Sequence, residues 1–100
     1  MALILFGGVT LAFSQTQRGQ ISGQVTDPQG LTVPMATVDV VNRDTSAFRE
    51  TKTDDAGHYA VSGLAGGRYQ VTVQVEGFAP FSSEDITLAT DKSVVSDVKL

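Results

Sequence analysis

The chain has 100 residues, with no Cys, no Trp and a formal net charge of −4. That length suits one domain with little room for a large pocket, and the acidic balance disfavours nucleic acid, which needs clustered Lys and Arg. Without Cys there are no disulfides, thiol nucleophiles or thiolate metal sites, and the scattered Asp and Glu read as a solvated surface.

Ala2 to Ala12 is apolar and uncharged, and polar Ser14 to Arg18 follows at once. A spanning helix needs about 20 apolar residues, so no transmembrane helix is expected. The run has the length of the apolar region of a secretory signal. Residues 1–14 are therefore read as a signal peptide, cleaved after Ser14, and residues 15–18 as a linker. No Lys or Arg precedes the apolar run, which marks the signal as N-terminally incomplete. The alternative is a buried N-terminal strand. A Cys for lipid attachment is absent.

From Gly19 onward, short β-like runs alternate with turn signals at the spacing of a sandwich or barrel. Gly19 to Asp27 is the first strand, with Ile21, Gly23 and Val25 on one face and Ser22, Gln24 and Thr26 on the other. Asp27-Pro28-Gln29-Gly30 is a β-turn, and Pro34 bars a central strand in the loop after it. Ala36 to Asn42 is the second strand, with Val38 and Val40 inward. Phe48 to Thr53 is a third, polar and near an edge. Asp54-Asp55-Ala56-Gly57 turns the chain into a short fourth strand, Tyr59 to Ser62. A Gly-rich turn leads to the fifth, Tyr69 to Val75, whose Tyr69, Val71, Val73 and Val75 share a face. Gly77 and Phe78 end it. Phe81 to Leu88 and Val94 to Leu100 complete seven strands. No helical period of apolar residues appears past Gln15. The expected fold is all-β: a seven-stranded antiparallel sandwich over residues 19–100.

Two blocks together carry a family resemblance. One is Ile21-Ser22-Gly23-Gln24-Val25-Thr26-Asp27-Pro28-Gln29-Gly30 followed by Val33-Pro34-Met35-Ala36-Thr37-Val38. The other is Thr53-Asp54-Asp55-Ala56-Gly57-His58-Tyr59 through Gly63-Leu64, Gly67-Arg68-Tyr69 and Gly77-Phe78. The pattern resembles the carboxypeptidase regulatory-like domain, a transthyretin-like (Ig-like) sandwich. One departure is Gly66, where that family often has Pro before the Gly of the second turn. Asp54, Gly57, Tyr59, Leu64, Gly67, Tyr69, Gly77 and Phe78 are thereby structural motif residues. Gly57 and Gly67 supply special backbone angles, Asp54 accepts turn N–H groups, Leu64 plugs one end, and Tyr59 and Tyr69 pack inward with hydroxyls at the rim. The resemblance implies a non-catalytic module of an exported bacterial protein in the periplasm, outer membrane or extracellular space. Of its settings, the N-terminal extension of a TonB-dependent outer-membrane receptor fits a signal running straight into the domain. The alternatives are a stand-alone carbohydrate- or protein-binding sandwich with carbohydrate-binding-like fold, and an accessory domain of a secreted metallocarboxypeptidase.

Candidate sites are few. His58 is the single histidine, too few for a His-rich catalytic zinc site; no Ser-His-Asp triad is expected, and His58 is expected to face solvent. Asp54, Asp55, Glu84, Asp85 and Asp91 are calcium-ligand candidates without EF-hand spacing; solvated loops are the simpler reading. Lys52 and Asn42 stand in the wrong order for an internal Lys–Asn isopeptide. Phe48, Phe78 and Phe81 are candidates for a sugar- or peptide-binding platform, against the ordinary reading that such aromatics fill the core. No catalytic residue, metal or cofactor is expected.

Overall fold

The computed structural model describes residues 18–100; the signal-peptide and linker readings of residues 1–17 lie outside the described residues. Nine strands occur there: β1 (Gly19–Thr26), β2 (Thr37–Asn42), β3 (Phe48–Lys52), β4 (His58–Leu64), β5 (Gly67–Gln74), β6 (Phe81–Ser82), β7 (Ile86–Leu88), β8 (Ser93–Val95) and β9 (Val98–Lys99). One sheet runs β4-β1-β8, with β9 beside the far half of β1. The other runs β3-β2-β5, with β6 and β7 along the outer side of β5.

The alternation in β1, β2 and β5 decides which faces meet. Ile21 and Val25 from β1, Val38 and Val40 from β2, and Tyr69, Val71 and Val73 from β5 are buried. Tyr59, Val61, Leu64, Leu88 and Val98 complete the core. Full burial of one Val-sized side chain contributes about 1.5–3 kcal/mol, so this strip holds the two sheets together.

Two expected strands are each broken in two. Between β7 and β6, Tyr69 pairs with Ile86 but Thr72 pairs with Ser82, so two residues of β5 face three of the partner. This is a β-bulge. Ser83 fills it: its N–H donates to the Val71 carbonyl (2.8 Å), and its Oγ accepts from the Val71 N–H (2.9 Å).

The break between β8 and β9 has another cause. Both strands keep one register along β1. At the gap the Gln24 N–H donates to the Asp97 carboxylate (2.9 Å) instead of to a ladder carbonyl. The Ser96 carbonyl, freed from the ladder, accepts the Tyr59 hydroxyl. Burial raises the Tyr59 pKa, with nearby Asp97 adding to it and the hydrogen bond to Ser96 opposing it.

The all-antiparallel expectation is corrected here. β8 and β9 both run parallel to β1, so the first sheet is mixed. The last segment crosses from the second sheet to the far side of β1, where strand direction follows from the crossover and not from local sequence.

Candidate functional site

Asp27 and Asp54 build matching turns. The Asp54 carboxylate accepts the N–H groups of Ala56 and His58, both at 2.9 Å, while the Gly57 N–H reaches the Asp54 carbonyl. The Asp27 carboxylate accepts from Gln29 and Leu31 in the same way. Such side-chain acceptance is why Asp favours turns. Thr53, only 2% exposed, ties the two loops together: its hydroxyl accepts the Ala36 N–H (2.8 Å) and donates to the Val33 carbonyl (2.7 Å). Sequence reading gave Thr53 no role, although a Thr at the boundary between a strand and an Asp turn is the available signal.

The His58 N–H first, then that of Ala56, hold the exposed Asp54 carboxyl below its ordinary pKa, aided by the His58 charge. A lowered folded-state value means that the turn's contribution is present above the ordinary carboxylate pKa. It is lost as pH falls through the lower folded value. Asp54→Asn keeps an acceptor oxygen but not this charge. The stability gap between wild type and Asp54→Asn, read from denaturant midpoints, is therefore expected to close on acidification; a gap constant with pH would refute it.

The other motif residues are spent on packing and turns. Leu64 is 4% exposed at the end of β4, and Tyr69 donates its hydroxyl to the Ala65 carbonyl at 2.6 Å. Gly67 has φ 156°, an angle that L side chains rarely adopt, and Gly77 at φ 91° closes the turn in which the Phe78 N–H meets the Val75 carbonyl.

The aromatics neither fill the core nor share one platform. Phe48 is 61% and Phe78 40% exposed, while Phe81 packs half-buried against the core. Phe48 pairs with Val41 at one end of β2. Phe78 lines a surface recess with Thr37, at the other end. Strand rise separates those ends by roughly 13 Å.

The calcium candidates are likewise dispersed. Asp54 and Asp55 lie in the β3–β4 turn, and Asp91 in the β7–β8 turn. Asp85 is paired with Arg43 (3.1 Å) and Arg68 (3.5 Å). Among the described residues no three His, Cys, Asp or Glu side chains converge as metal ligands.

Polar groups do gather in a shallow groove of about 460 Å³ on the outer face of the β4-β1-β8 sheet. Ser22 and Ala60 are its small central residues, and Gln24, His58, Asp97 and Val95 border them. Gln24 is held in place by its Nε2, which donates to the Ala56 carbonyl at 3.0 Å. The groove can accept and donate hydrogen bonds; Tyr59 also lines it, with its ring only 3% exposed.

These features define a small two-sheet module whose conspicuous residues are structural. The carboxypeptidase regulatory-like domain family model matches residues 20–100, and the chain belongs to that family. Solved structures share the fold at low identity. The dioxygenase domain of a dioxygenase–carbohydrate-binding protein fusion from Streptomyces sp. SirexAA-E is 14% identical with TM-score 0.65, over 89% of this chain and 84% of that one. A putative carbohydrate binding protein from Bacteroides uniformis is 21% identical with TM-score 0.64, over 81% of this chain and 40% of that one. The major pilin subunit BcpA of Bacillus cereus, as its D312A form, is 21% identical with TM-score 0.69, over 83% of this chain and 28% of that one. This chain thus spans well under half of the latter two proteins. No curated protein sequence matches it significantly.

Proposed function

We propose that the chain is a non-catalytic interaction module of an exported bacterial envelope protein, forming the N-terminal extension of a TonB-dependent outer-membrane receptor. The observation that carries the non-catalytic reading is how the motif side chains are spent. Asp54 serves turn N–H groups, and Tyr59 and Tyr69 serve backbone carbonyls. His58 shares no cluster with other metal-ligating groups among the described residues, so a metal-water route has nothing to start from there. The apolar run Ala2 to Ala12 supports export. Immunoblotting of fractionated native cells tests the context. The epitope is expected in the outer-membrane fraction on a polypeptide far larger than 100 residues; cytoplasmic recovery would refute export. The purified chain is expected to turn over no peptide, ester or oligosaccharide, and turnover abolished by one Asp→Asn or Glu→Gln change would refute the non-enzyme reading.

A second reading, carbohydrate binding, is favoured by the outer-face groove and by the fold shared with the Bacteroides uniformis protein. Calorimetric titration with oligosaccharides separates the two: binding lost in both Gln24→Ala and His58→Ala places a sugar in the groove, and no heat with any sugar removes this reading.

A further inference from the structure

Among the described residues, two neighbouring strand edges differ: β4 is covered at both ends and β3 is open. On β4, the Asp54 carboxylate occupies the outward N–H of His58. The Arg49 guanidinium covers the carbonyls of Ser62 and Gly63, at 3.2 Å each. Blocking groups of this kind are how natural sheets avoid adding strands.

Edge strand β3 has no such cover. The Thr53 N–H bonds the Ala36 carbonyl at one end of the β2–β3 ladder, and the Asn42 N–H bonds the Ala47 carbonyl at the other. Antiparallel pairs alternate between bonded and non-bonded. Arg49 and Thr51 therefore turn their backbone groups toward β2, and Phe48, Glu50 and Lys52 turn theirs outward. Among the described residues these outward groups meet no partner.

Of the outer-face side chains on that edge, Lys52 donates to the Thr37 hydroxyl at 3.1 Å. Phe48, Glu50 and Lys52 lie on the outer face of the sheet, opposite Val41, Asp39 and Thr37. Glu50 therefore stands directly across from Asp39, a like-charge pair that is unfavourable. Asp39 Oδ1 is buried with no hydrogen-bond partner. Among the described residues the ion pairs are those of Arg43 and Arg68 with Asp44 and Asp85, so Glu50 and Lys52 have none.

We propose that β3 is a self-association edge, pairing antiparallel with β3 of a second copy about a twofold axis at Thr51. The occupant follows from charge complementarity. In this register Glu50 lies opposite Lys52 of the second copy, and Lys52 opposite its Glu50. Both are bonded pairs, which exchange two backbone hydrogen bonds each. The contact thus gains four backbone bonds and two ion pairs, and brings a cation to each Asp39–Glu50 pair. The register one step away, about Glu50, would set Glu50 against Glu50 beside two Asp39 side chains. One step further, about Arg49, sets Glu50 against Phe48, and the step to the other side, about Lys52, sets Lys52 against Lys52. Twofold symmetry makes the contact self-complementary and closed. An interface this small is weak, with a dissociation constant on the order of 0.1–1 mM.

Sedimentation equilibrium of the 100-residue chain, over a concentration series into the millimolar range, tests this with two charge reversals. Wild type is expected to form a concentration-dependent dimer. Glu50→Lys and Lys52→Glu are each expected to weaken it by about tenfold or more, because each alone sets like charges opposite. An equimolar mixture of the two variants is expected to recover dimers. When one copy of each variant meets, both cross-copy contacts between positions 50 and 52 again set a cation against a carboxylate. As a second readout, amide shift changes on concentrating wild type are expected to centre on residues 48–52. The proposal is overturned if wild type stays monomeric, if both variants associate as wild type does, or if the mixture is no stronger than its components. It is also overturned if only an unrelated strand peptide occupies this edge.

Discussion

Gly23→Ala is expected to destabilise the domain by about 3 kcal/mol, the upper range for overpacking a close contact. A Cβ at Gly23 would lie 2.1 Å from the Ser96 carbonyl oxygen and 2.7 Å from its carbon. Both are backbone atoms, so no flexible side chain can swing away. The segment joining β8 and β9 has to retreat from β1. That retreat threatens the Asp97 contact with the Gln24 N–H and the Tyr59 hydroxyl contact with Ser96. The Tyr59 ring is 3% exposed and cannot easily recruit water in exchange. Denaturant melts read the loss, and hydrogen exchange is expected to accelerate first at Gln24, Val98 and Lys99. Gly30→Ala is the control, because Gly30 has positive φ but nothing within 4 Å of its Cβ position. It is expected to cost about 1–2 kcal/mol through backbone strain alone. A Gly23→Ala domain as stable as wild type would mean that β8 and β9 do not press on β1 as described.

Gly57→Val is expected to cost about 2–4 kcal/mol, from two additive sources. Gly57 has φ 79°, which a β-branched residue adopts only with strain of about 1–3 kcal/mol. Its Cβ would also lie 2.9 Å from the Val25 carbonyl oxygen, 3.0 Å from Thr32 Cβ and 3.1 Å from the Val33 nitrogen. The Val25 carbonyl already accepts the Val33 N–H, and the Gly57 carbonyl accepts the Val25 N–H. The added side chain therefore pushes into the junction where the β1–β2 loop docks on the β3–β4 turn. The neighbouring change His58→Ala removes only an exposed side chain and is expected to stay within about 0.5 kcal/mol. Equal melts for the two variants would contradict this account.

The β3 edge shows how far local pattern carries. Strand parity already sets Phe48 on the face of Glu50 and Lys52, which argues for an exposed ring; the habit of assigning aromatics to cores overrides that signal wrongly. Parity cannot show that Arg49 reaches across to the carbonyls of β4, because that contact joins different sheets. Nor can it show the outer-face groove, whose residues come from three strands.

What the amino-acid order by itself determined is the first five strands and the inward faces of β1, β2 and β5. Alternation at Ile21 and Val25, Val38 and Val40, and Tyr69, Val71 and Val73 is a period-two property, and burial of one face follows from it. The Asp turns are equally local, since each carboxylate bonds N–H groups two and four residues ahead. Only the tertiary structure decided that the last segment runs parallel to β1 and breaks at Ser96 and Asp97. That outcome depends on a carbonyl, a carboxylate, a tyrosine and a missing side chain at Gly23 meeting from distant parts of the chain. Hydrogen-bond partners so far apart in sequence leave no periodic trace in either segment.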